Sequence, residues 1–176
     1  MRVSVGTVED LEGGKAIVVF TDGSRRTLQV PEWAKVHEGL SVRFIETDDR
    51  EPHIDWGLEE RAAEFERTHG YVRATLRLLP TDEGGRSGPF VSGYRPQWDL
   101  GHRSEDGRIA FCDAEVWLDG QLKLDPGGTA VVRLHPLSPE LWHDLGEGSA
   151  LGLYEGSRKL GEAGVLEVVP PAAASV

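Results

Sequence analysis

Three arginines at glycine-rich turns are the side chains best suited, by type and spacing, to recognition chemistry. Residues 82–97, Asp-Glu-Gly-Gly-Arg-Ser-Gly-Pro-Phe-Val-Ser-Gly-Tyr-Arg-Pro-Gln, present Arg86 and Arg95, and Glu155-Gly156-Ser157-Arg158 presents the third. A guanidinium is a fixed fork of donors, so each turn suits a phosphate or a partner's carboxylate. Asp82, Glu83 and Glu155 lie close in sequence, and pairing with them would simply hold the loops in shape. Tyr94 and Trp98 could stack on bases, but aromatics on β-rich segments more often fill a core.

Other chemistries find less support. Cys112, the single cysteine, follows Phe111 in an apolar stretch and reads as a packing thiol. The six histidines (37, 53, 69, 102, 135 and 143) show no spacing of the kind metal sites use. A Gly-x-Ser-x-Gly elbow is absent. The nearest string to a phosphate-binding loop, Gly13-Gly14-Lys15-Ala16, has Glu9 where the leading glycine belongs and Ala16 where the Mg²⁺-ligating hydroxyl belongs. With no asparagine in the chain, a guanine-reading Asn-Lys-x-Asp motif is impossible. The expectation is a protein that is not an enzyme and needs no cofactor or metal.

The composition agrees. The 176 residues carry a formal charge of −11, which opposes nonspecific attraction to nucleic acid or to an anionic membrane. The deficit is shared, at −6 over residues 1–70 and −5 over 71–176. One cysteine rules out an intrachain disulfide and suits a reducing compartment. The N-terminal residues lack a signal-peptide run, and no stretch approaches the roughly 20 apolar residues of a spanning helix. A soluble, cytoplasmic location is expected.

The elements that must position the arginines fall into three segments and a tail. Residues 1–46 show short apolar runs (Val3 to Val8, Ala16 to Phe20, Thr27 to Val30, Val42 to Ile45) divided by Glu12-Gly13-Gly14 and Asp22-Gly23-Ser24. This predicts a small SH3-like or OB-like β subdomain, or strands that extend the neighbouring barrel. Residues 47–70 open with a polar breaker, Asp48 to Pro52, and continue as a helix from Gly57 to His69. There Leu58, Ala62 and Phe65 share one face, and Glu59, Glu60, Glu64 and Glu66 lie mostly elsewhere, where they could meet a basic partner but more often form only the solvated side of such a helix. Residues 71–169 hold about six candidate strands, Tyr71 to Leu79, Ile109 to Phe111, Glu115 to Leu118, Ala130 to Leu134, Ala150 to Tyr154 and Val165 to Val169, which predict a closed barrel or sandwich. Residues 170–176 read as a disordered tail.

Five segments in one order give a more specific expectation. They are Asp82 to Arg86, Gly93-Tyr94-Arg95-Pro96-Gln97, the Pro-Gly-Gly turn before Thr129, Leu134-His135-Pro136-Leu137, and Glu155 to Arg158 followed by Gly161. Together they make residues 71–169 resemble the C-terminal β-barrel of the translation elongation factor Tu family. The resemblance implies a six-stranded antiparallel barrel, here without the family's GTPase domain. In that family the barrel packs on the GTPase domain, touches the T-stem of aminoacyl-tRNA and contributes to exchange-factor binding. Arg86, Arg95, Gln97, Glu155, Gly156 and Arg158 carry over as partner- or RNA-binding positions. Ser87-Gly88 replaces the usual His-Thr, Asp99 and Glu162 add acids, and Ser157 replaces a glycine.

These readings converge on a binding module whose partner is a protein: a translation factor, a GTPase, or a toxin that targets elongation factor Tu. The alternative is an accessory that binds tRNA or another RNA weakly through the same arginines. About three arginines fall short of the 6–10 phosphate contacts that make counterion release a strong driving force.

Overall fold

Alternation of apolar and polar residues at a period of two marks several segments of the chain, and these fold accordingly into antiparallel strands. The computed structural model describes residues 1–48 and 50–172. It divides into two compact units, Met1–Glu64 and Phe65–Val176.

The first unit is a five-stranded sheet in the order β3-β2-β1-β4-β5, built from β1 (Arg2–Glu12), β2 (Lys15–Phe20), β3 (Arg25–Gln29), β4 (Ser41–Thr47) and β5 (Arg50–Trp56). It curls around Val8, Val18, Phe20, Val42, Phe44 and Trp56 but ends in two edge strands, β3 and β5. An irregularity between Val8 and Asp10 offsets the β1–β2 register, the kind of local kink that lets a sheet bend. The run from Asp48 to Pro52, read from sequence as a breaker, instead contributes to β5. Register with β4, from Val42 opposite Trp56 to Thr47 opposite Arg50, overrides the weak strand propensity of its polar residues. Asp49 of that run lies outside the described residues.

The second unit is a closed barrel in the order β10-β11-β6-β9-β8-β7, with β7 pairing back onto β10. Its strands are β6 (Tyr71–Leu78), β7 (Gln97–Asp99), β8 (Cys112–Leu118), β9 (Thr129–Pro136), β10 (Ala150–Glu155) and β11 (Arg158–Val169). The mainly β architecture with a six-stranded antiparallel barrel is the one expected. Along β6, Val72, Ala74, Leu76 and Leu78 enter the core while Arg73 and Arg77 face out. Leu134, Leu153, Leu160, Val116 and Trp98 meet them inside, each buried aliphatic side chain contributing about 1.5–3 kcal/mol. The indole N–H of Trp98 donates to Ala114 O at 3.3 Å, whereas that of Trp142 in the same core is buried without a partner among the described residues.

The sequence reading placed one strand wrongly and missed another. Ile109 to Phe111 is not a strand; Ile109 makes only a single bridge, to Arg103. The missing member is β7, three residues between Pro96 and Gly101, too short to show a period of two. Pairing on both sides holds it, with Gln97 opposite both Tyr154 and Asp113.

Helix α1 (Leu58–His69) forms where the heptad-like apolar face predicts it, with Glu59 and Glu60 in the first turn and Arg67 and His69 in the last, signs that suit the helix dipole. Its acids are not all solvated. Glu60 accepts from Ser41 N at 2.9 Å and from the Ser41 hydroxyl at 2.5 Å. Within the second unit, Glu66 accepts from His135 Nε2 at 2.7 Å and Arg133 at 2.6 Å, and Arg133 Nε reaches Asp119 at 2.9 Å. His135 is buried and lies between the rings of Phe65 (4.7 Å) and Trp117 (5.2 Å). The chain then turns at Gly70, where a Cβ would stand 2.3 Å from Val169 O. Of the tail expected over 170–176, Ala172 N donates to Arg67 O at 3.0 Å, and residues 173–176 lie outside the described residues.

Burial holds the His135 imidazole below its ordinary pKa, against the opposing pull of Glu66; Arg133 also favours the neutral ring and Glu115 the charged one. A depressed native pKa means the unfolded chain binds more protons, so barrel stability should fall as pH drops from about 6.5 toward the native value. Urea unfolding at several pH values should show this slope, and His135→Gln, which keeps a donor for Glu66, should flatten it. An unchanged slope in the variant would assign the titration elsewhere.

Candidate arginine cluster of the barrel

The loop after β6 holds its shape through two adjacent glycines with different roles. Thr81–Glu83 makes one 3₁₀ turn, and Gly84 ends it in the left-handed region at φ 91°, where glycine alone is unstrained. Gly85 serves proximity: a Cβ there would lie 2.0 Å from Leu79 O. The Thr81 hydroxyl donates to Arg86 O at 2.6 Å and Gly85 N to Pro80 O at 2.9 Å. Arg86 is thereby aimed from a fixed base.

Its guanidinium lies over the Tyr94 ring, 4.4 Å from the centroid, and 3.2 Å from the Glu155 carboxylate. The Tyr94 hydroxyl donates to the same carboxylate, and Arg158 meets its other oxygen at 3.1 Å. Tyr94 is itself anchored by Val116 N donating to its carbonyl at 2.8 Å and by packing on Phe90. Arg86, Tyr94, Glu155 and Arg158 therefore form one connected cluster with three groups converging on one acid. The Arg86 Nη1 atom is buried with no well-aligned hydrogen bond, despite its 3.2 Å approach to Glu155. We read that contact as ionic rather than directional.

Arg95, next in the chain after Tyr94, turns to the opposite neighbour and pairs with Glu115 on β8. Gln97 acts through its backbone, as the residue where β7 meets β8 and β10. Its side chain makes no hydrogen bond among the described residues. Gly156 occupies the β10–β11 turn at φ 58° with open space around it. The six positions named from sequence thus resolve into a cluster (Arg86, Glu155, Arg158), a separate ion pair (Arg95) and two backbone positions (Gln97, Gly156).

Of the acids considered from sequence, Glu155 takes both Arg86 and Arg158, while Asp82 and Glu83 make no side-chain hydrogen bond or ion pair among the described residues. Tyr94 is the member that sequence reasoning left as a core or stacking aromatic. Its hydroxyl contact spans 61 residues, and no local spacing could reveal it. Glu115 was invisible for the same reason.

The hydrogen bond from Tyr94 is the leading cause that holds the Glu155 carboxyl below its ordinary range, helped by Arg86 and Arg158 and opposed by burial. Burial and that same carboxylate push the Tyr94 phenol up, so Tyr94 stays a neutral donor. Cys112 is buried, and burial raises its thiol. Among the described residues no group of three or more His, Cys, Asp or Glu side chains is arranged to hold a metal, and no helix is long and apolar enough to cross a membrane. No protein-family model matches the chain.

Two outcomes follow from the geometry. Gly85→Ala should destabilise the barrel by about 3 kcal/mol, the upper end of overpacking costs, as measured by urea unfolding; a neutral result would mean the Leu79 carbonyl can move aside. Tyr94→Phe should lower stability by about 1 kcal/mol at neutral pH and raise the Glu155 titration followed by carboxyl NMR. A carboxyl held low in the native state stabilises above its unfolded pKa and loses that contribution as pH falls through its native one. The difference between wild type and Tyr94→Phe should therefore vanish in acid.

Proposed function

We propose that the barrel is a non-catalytic docking module related to the elongation factor Tu C-terminal barrel, without GTPase activity of its own, and that it binds a protein. The partner is a translation factor, a GTPase or a toxin directed at elongation factor Tu, met in the reducing cytoplasm. The observation that carries this reading is the internal pairing of the loop arginines: Arg86 and Arg158 on Glu155, Arg95 on Glu115. Two guanidiniums sharing one carboxylate leave a single positive charge in the cluster, and Arg95 is neutralised beside it. That is too little for phosphate-driven binding in a chain of net charge −11. A fixed array of guanidinium, phenol and carboxylate does suit a protein surface, where arginine and tyrosine are favoured anchors.

The test is affinity capture from cell lysate with the wild-type chain, followed by Arg95→Ala and Arg158→Ala. A defined protein should be retained and should lose affinity by about 30-fold or more if an arginine is an anchor. Labelled tRNA should bind no tighter than about 10⁻⁵ M at physiological salt. Tight, salt-sensitive tRNA binding that these variants abolish would replace the protein reading with the RNA one, and nucleotide turnover above background would overturn both.

A further inference from the structure

The chain holds a recurring arrangement in which an aromatic ring and a carboxylate share one guanidinium. In the barrel, Arg86 lies 4.4 Å over Tyr94 and 3.2 Å from Glu155. In the first unit, Arg26 lies 4.6 Å over Phe44 and 3.3 Å from Glu46. A cation over a ring face gains from the ring quadrupole, and an adjacent acid adds to the attraction.

Trp33 and Glu32, adjacent in the chain, meet no such cation among the described residues. Trp33 is 73% exposed, whereas Trp56, Trp98, Trp117 and Trp142 are no more than 4% exposed. It sits beside Glu32 in the turn closed by Ala34 N donating to Pro31 O at 3.0 Å. Neither side chain has a hydrogen bond, ion pair or ring contact among the described residues, and the same holds for the Glu38 carboxylate in the next turn. The segment is well anchored. Val30 N donates to Gly14 O at 3.0 Å, Gly39 N to Val8 O at 2.8 Å, and Val30, Ala34 and Val36 pack on the sheet core. Trp33 and Lys35 are thus left on the outside of a strap whose alternate residues are held down.

We propose that Trp33, with Glu32 and Glu38, is a docking point for an arginine- or lysine-bearing segment of a partner protein, whose cationic side chain lies over the indole. Charge complementarity supports this occupant: the turns offer two uncompensated acids against Lys35, in a chain of net charge −11. A rigidly presented tryptophan is also among the commonest binding anchors. This site is in the first unit and stands independently of the arginine cluster.

The test follows the Trp33 indole N–H signal in ¹H–¹⁵N spectra of the full chain during titration with a short oligo-arginine peptide. The signal should move saturably, and an oligo-glutamate peptide of equal length should leave it still. Trp33→Ala should weaken binding about tenfold, with Trp33→Phe in between. Glu32→Gln combined with Glu38→Gln should weaken it about threefold and more at low salt than at high. An unmoved indole would overturn the proposal, as would Trp33→Ala binding as tightly as wild type, which would assign the attraction to diffuse charge. A shift that depends only on protein concentration, or that appears only with phosphatidylcholine vesicles, would assign the indole to self-association or to a lipid surface instead. Thermal midpoints of both Trp33 variants should stay close to wild type, because most of the side chain is exposed.

Discussion

Closure of the barrel depends on three residues. β7, from Gln97 to Asp99, joins β8 on one side and β10 on the other, and without it the sheet would stop at two edges. Unpaired edges expose backbone donors and acceptors and invite pairing with other chains. Closure also does something local: it brings the segment before β7, which carries Tyr94 and Arg95, alongside the end of β10, which carries Glu155. The arginine cluster is a product of that seam. Trp98, fully buried at the centre of β7, secures the seam from inside.

Electrostatics then decides what the seam presents. Each loop arginine could have been a free cation, but Glu155 takes Arg86 from the far side of the seam and Arg158 from its own hairpin, and Glu115 takes Arg95. Tyr94 matters most, because a neutral hydroxyl can donate to Glu155 without adding charge, and its ring gives Arg86 a flat surface to rest on. The result is a patch with a single excess positive charge rather than a positive groove. A patch with so little net charge exerts little long-range attraction.

Much of the fold was legible because its signals are local. The Val72-Ala74-Leu76-Leu78 alternation announces β6, and Glu12-Gly13-Gly14 and Asp22-Gly23-Ser24 announce the turns of the first sheet. What stayed hidden depends on contacts far apart in sequence. β7 is too short for a pattern, β5 is polar and held by its neighbour, and Ile109 to Phe111 has strand-like residues with no strand to pair with. Glu66 looked like one more solvated helix acid, yet its partners Arg133 and His135 lie 67 and 69 residues away. At the candidate site the arginines and Glu155 were readable from turn chemistry. Their sharing of one carboxylate, and the part played by Tyr94, required the closed barrel.

The turn at Gly70 has a wider consequence. Where the barrel unit's chain enters, its last strand leaves: Val169 O is the atom a Gly70 Cβ would strike, and Ala172 N is bonded to Arg67 O. Entry and exit at one point make the barrel a cassette. It can be spliced into a host loop, or have its ends joined and be reopened at a distant hairpin, without stretching any strand.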